Sequence, residues 1–101
     1  MSEGRDIRSD KYRLGFMFRI ISVSKMALDY WLTVPAFVDK MMDMMEQHEP
    51  ISNQTVLPVM EEIYNRDFEP VRNTPEGVGL NFYLARKAIN QLRRSVSEGT
   101  T

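Results

Sequence analysis

Met41, Met45 and His48 recur at steps of four and three residues, the spacing that sets two thioethers and an imidazole on one side of a helix. Such a set suits Cu(I). Met41, Met42, Met44 and Met45 crowd the stretch KMMDMMEQHEP, residues 40–50, and make up half of the eight methionines. Core filling and a soft docking surface are the two other uses of such a face, because methionine is flexible and adapts to irregular neighbours. The sequence has no cysteine and no second cluster of soft ligands. No metal and no cofactor are therefore expected. Met41, Met44 and Met45, with Trp31, are the candidates for an apolar partner-binding face.

The groups that catalysis needs are not assembled in the sequence. His48 is the sole histidine, and its place at a predicted helix end lets a protonated imidazole meet the negative end of the helix dipole. Glu61 and Glu62 are adjacent, so on a helix they diverge. The stretch EGVG, residues 76–79, has two glycines but no strand before it, which fits a flexible helix start better than a phosphate cradle. No HExxH, phosphate-binding loop or dinucleotide fingerprint occurs. The protein is read as not an enzyme, with no catalytic residues.

Basic residues form a second kind of candidate site. Arg86, Lys87, Arg93 and Arg94 are followed by no acid until Glu98, with Tyr83 and Asn90 interleaved. A basic stripe carrying an aromatic can track a phosphate backbone. The helix dipole alone also accounts for cations such as Arg93 and Arg94 near a C-terminus. Arg5, Arg8, Lys11 and Arg13 cluster where a first helix would begin, an end at which the dipole disfavours cations. Arg8, Lys11, Arg19, Tyr83, Arg86, Arg93 and Arg94 are thus the candidates for binding an acidic protein or nucleic acid. A helix-turn-helix reader fits poorly, since its recognition helix would carry Glu61, Glu62 and Asp67.

Four helices must position these residues. From Ser9 to Leu32, apolar residues return at the 3.6 period: Leu14, Met17, Ile21, Leu28 and Leu32 in one stripe, widened by Phe16, Ile20, Val23, Ala27 and Trp31. Lys11, Arg19, Lys25 and Asp29 share the other side. The β-formers in FMFRIISVS, residues 16–24, compete, but the polar face outlasts any ordinary strand. Pro35 breaks the chain and opens a second helix to about His48, with Thr33 as a cap. Pro58 belongs in a first turn, which favours Thr55 as cap of a third helix reaching Asp67. Thr74, Pro75 and Glu76 read as the start of a fourth, with Val78, Leu84, Ala85, Ala88, Ile89, Leu92 and Val96 inward. The expected fold is all-α, a small four-helix bundle-like domain with helices at about 9–32, 35–48, 55–67 and 75–96.

The chain of 101 residues is expected to be one helical domain with short flexible termini, about 1–8 and 97–101. It is long enough to bury about 65% of its unfolded surface. Hydrophobic residues at 43% and charged residues at 27% are ordinary for a globular protein. Charged residues interrupt every apolar run, and no secretory signal is visible, so a cytoplasmic protein away from membranes is expected. The net charge of −1 conceals segregation: six basic and four acidic residues in 1–38, three and nine in 39–76, four and one in 77–101. Segregated charge can direct partner choice or self-association. The function expected is a non-catalytic protein-interaction module: a regulator, an inhibitor or an accessory subunit that binds another protein or a second copy of itself. The alternative is a nucleic-acid-binding module using basic faces of the first and last helices.

Overall fold

In the computed structural model of the protein the described residues are 21–99. Apolar side chains at helical spacing there form four α-helices and no strand: α1 (Lys25–Trp31), α2 (Pro35–Glu46), α3 (Asn53–Ile63) and α4 (Phe82–Ser97). The protein is all-α, as its periodicity predicts. None of these helices is long and apolar enough to cross a membrane.

The long first helix is corrected. Residues 9–20 of that expectation lie outside the described residues, and residues 21–24 are not helical. Backbone donors there find better acceptors elsewhere. The Ser22 N–H donates to Asn53 Oδ1 at 2.8 Å, and the Ser24 N–H donates to Gln91 Oε1 at 2.8 Å. Asn53 is wholly buried and returns a bond from Nδ2 to Ser22 Oγ at 3.1 Å. Ser24, extended at φ −61° and ψ 152°, then caps the seven-residue α1. Two side chains from distant helices thus hold as a strap what local periodicity reads as helix.

Helix α1 ends because Val34 precedes Pro35 and is forced extended, at φ −94° and ψ 108°. Pro35 then opens α2, with Val34 rather than Thr33 at the cap position. The Thr33 hydroxyl instead donates to the Tyr30 carbonyl at 2.6 Å. Helix α2 stops at Glu46, short of His48. His48 takes φ 59°, while the His48 and Glu49 amides donate to the Met45 and Met44 carbonyls. That pair of bonds is a Schellman closure with histidine where glycine is preferred.

Helix α3 starts earlier than expected. Ser52, not Thr55, is its cap, and Thr55 completes a reciprocal capping box. Pro58 consequently sits inside the helix. Pro58 and Gln54, whose carbonyl the proline cannot satisfy, both lie on the exposed side of the helix. A π-turn, Tyr64–Phe68, and a 3-10 turn, Glu69–Val71, extend α3 past Asp67.

Pro75–Gly77 is a single 3-10 turn rather than the start of the last helix. Gly77 lies so close to the Val71 carbonyl that a β-carbon there would fall 2.3 Å from its oxygen. Helix α4 begins at Phe82, where Asn81 Oδ1 accepts the Leu84 N–H at 3.0 Å. Val78, expected inward, is 82% exposed in the preceding turn.

The core is built on Trp31. Its indole N–H donates to the Ala85 carbonyl at 3.2 Å, and its ring meets Phe37 at 5.2 Å and Phe68 at 5.7 Å. Phe68 stacks on Tyr64 at 5.3 Å and meets Phe82 edge-on at 5.7 Å. Ala85 and Ala88 let α1 approach α4, while Ile89 and Leu92 complete the inner face of that helix.

Candidate binding cleft

The apolar candidates do not form a surface. Met41 and Trp31 have no exposed area, Met44 is 4% exposed, and only Met45 is half-buried at the edge. Phe37 and Met60 are buried in the same core. The methionines fill space between α2 and the rest of the protein, which is where their flexibility suits them. Met41 lies in that core while His48 is exposed beyond the end of α2.

The basic candidates separate into three groups. Arg8, Lys11 and Arg19 lie outside the described residues. Arg93 points toward α3, where its Nε donates to Glu61 Oε2 at 2.8 Å. Tyr83, Arg86 and Arg94 come together on the outward side of α4, in an open cleft of about 590 Å³. Lys87, Asn90, Gln91, Ser95 and Ser22 line the same cleft.

Helical geometry orders these residues into two rows. Arg86, Asn90 and Arg94 recur every four residues and form an outer, exposed row. Lys87, Gln91 and Ser95 recur the same way one residue on and form an inner row. Tyr83, 70% exposed, stands at the head of both, with the Lys87 ammonium 5.6 Å from its ring centroid. The cleft spans about 16 Å from Tyr83 to Arg94 at 1.5 Å per residue.

Its electrostatics are distinctive. Arg66, Arg72 and Arg93 are each paired with a carboxylate: Asp67, Glu69 and Glu61. Arg86 and Arg94 form no ion pair among the described residues, and no carboxylate among those residues lines the cleft. An unpaired guanidinium brings charge and a fork of donors suited to carboxylate or phosphate.

Away from the cleft, the Arg72–Glu69 pair packs on the aromatic cluster. Arg72 donates to the Tyr64 hydroxyl and lies 5.2 Å over the Phe82 ring. Burial, with Glu69 adding to it, pushes the Tyr64 phenol above its ordinary value. This group fixes the turn between α3 and α4 and thereby the base on which the cleft stands.

Sequence spacing identifies Tyr83, Arg86, Arg94 and the adjacent Lys87 and Asn90. Gln91, Ser95 and Ser22 escape it. Gln91 and Ser95 are legible afterwards as continuations of the Lys87 row, but nothing local brings Ser22 to α4. Comparison of the chain with protein-family models, curated proteins and solved structures finds no match.

Proposed function

We propose that the protein is a non-catalytic binding module that docks an acidic segment of another protein in the cleft along α4. The observation that carries this reading is the presence of Arg86 and Arg94, unpaired among the described residues, in one open cleft with Lys87 and Tyr83. Cations that make no direct ion pair among the described residues, beside an exposed aromatic, give a partner both charge and contact area. The buried methionines leave this face, rather than α2, as the docking surface.

The exposed Tyr83 also favours a second reading, single-stranded nucleic acid stacked on the ring and tracked by the cations. Charge favours the first. The chain has a net charge of −1 and nine acidic residues in 39–76, which repel an extended polyanion, whereas a short acidic segment needs only the few cations of the cleft.

Titration of the full chain with an acidic peptide library, and with single-stranded and duplex DNA and RNA, over a salt series tests both. Saturable peptide binding is expected, with Arg86→Gln/Arg94→Gln weakening it by about tenfold or more, since hydrogen bonds to charged groups are the stronger kind. Tight oligonucleotide binding with a steep salt slope would establish the second reading instead. Peptide affinity unchanged in the double variant would remove the cleft from consideration.

A further inference from the structure

We infer that the Arg94 end of the α4 cleft is a phosphoryl subsite, and that the acidic segment bound there carries a phosphorylated side chain. This rests on the docking function proposed above and specifies its ligand.

The argument starts from acceptors that are already used. Ser22 Oγ accepts from Asn53 Nδ2 at 3.1 Å, which leaves its O–H to donate. Gln91 Oε1 accepts the Ser24 N–H at 2.8 Å, which leaves its amide NH₂ to donate. Both residues line the cleft beside Ser95 and Arg94. One lone pair of each oxygen is taken in this way, and the Ser22 hydroxyl hydrogen and the Gln91 amide hydrogens remain to donate.

Ser95 supplies an independent observation. It is 9% exposed, one of two buried polar residues among those described, and its hydroxyl has no hydrogen-bond partner among them. Ser95 lines an open cleft, so its hydroxyl is not sealed from solvent and is available to a ligand. A ligand oxygen in the cleft would satisfy it. The other buried polar residue, Asn53, is bonded to the strap.

Arg94 is exposed and forms no ion pair among the described residues, and its guanidinium can only donate. Ser22, Ser95, Gln91 and Arg94 therefore line a common space with hydrogens to donate, and no carboxylate among the described residues lines it. A carboxylate offers two oxygens. A phosphorylated side chain offers three oxygens and close to two negative charges, which matches this donor set better. The Tyr83 end of the cleft then holds the flanking acidic residues on Arg86 and Lys87.

The test titrates the full-length chain with an acidic peptide library carrying a fixed central phosphoserine. The same library with serine, inorganic phosphate and an oligothymidylate of equal length complete the set. The phosphorylated library is expected to bind about tenfold tighter than the serine library. Ser95→Ala is expected to remove most of that ratio while leaving the serine library unaffected, and Arg94→Gln is expected to weaken both. Ser95→Ala introduces no bulk, and its circular dichroism should match the parent.

Equal affinity for the two libraries would overturn the phosphoryl subsite and leave the acidic docking function standing. Binding of neither library would overturn both. A ratio unchanged by Ser95→Ala, or oligothymidylate binding tighter than the phosphorylated library, would overturn the subsite as well.

Discussion

At the scale of single residues, His48 shows how a local cost becomes visible only in the fold. Its type and position suggest favourable charge at a helix terminus. The backbone instead places it past the cap at φ 59°, where its β-carbon crowds the carbonyl. Two amide bonds, to the Met45 and Met44 carbonyls, hold it there. Replacing it with glycine relieves the crowding and keeps both bonds. His48→Gly is expected to raise the unfolding free energy by about 1 kcal/mol. Urea denaturation would show a higher midpoint at constant slope; a lower midpoint would mean that the imidazole makes a contribution larger than the strain. Trp31 gives the opposite lesson. Its apolar stripe made it a candidate for a docking face, but it is wholly buried, and its hydrogen bond to Ala85 depends on a helix 54 residues away.

At the scale of elements, Pro58 is the clearest departure from local rules. The sixth position of α3 should donate to the Gln54 carbonyl, and proline cannot. The helix survives because the capping box at Ser52 and Thr55 fixes its start, and because Val56, Val59, Met60 and Ile63 are buried along one face. Packing overrides propensity here. Pro58→Ala restores the donor and removes the ring from the preceding turn, at the cost of a freer unfolded chain. The net gain expected is about 1–2 kcal/mol, read as a raised melting temperature in calorimetry. No gain would mean that the lost stiffness of the unfolded chain offsets the restored hydrogen bond. The same logic explains α1. Its apolar stripe continues back through Ile21, yet Asn53 and Gln91 hold residues 22–24 as a strap. Periodicity identifies the face of a segment and cannot count the hydrogen bonds that distant side chains offer its backbone.

At the scale of the whole molecule, charge is arranged in opposed regions. The middle of the chain holds most of its carboxylates, and two of them depend on the folded state. The Arg72 guanidinium holds Glu69 below the usual carboxylate range, and Arg66 does the same for Asp67. Both groups bind protons more weakly when folded than when unfolded. Their contribution is complete above the unfolded values of about 4 and is lost as pH falls through the folded ones. The melting temperature should therefore drop on acidification from about pH 4.5 to pH 3, and less steeply in Glu69→Gln, which cannot titrate. Superimposable profiles would mean that the Arg72 pair is fully screened by solvent. Between α4 and α3, Arg93 pairs with Glu61, a partly exposed pair that stabilises by less than about 1 kcal/mol. Arg86 and Arg94 form no such ion pair among the described residues.

The sequence by itself determined that the described part of this protein is helical and which face of each helix turns inward. A 3.6-residue repeat of apolar side chains requires that, since no other element can bury them together. It also identified Tyr83, Arg86 and Arg94 as companions, because helical spacing is local. The tertiary structure alone decided where α1, α3 and α4 begin, which of the open uses of the methionine face holds, and that Ser22, Gln91 and Ser95 share a cleft with those cations. Each of these depends on groups far apart in the chain competing for the same backbone donors and the same buried space, and that competition is settled only when the helices pack.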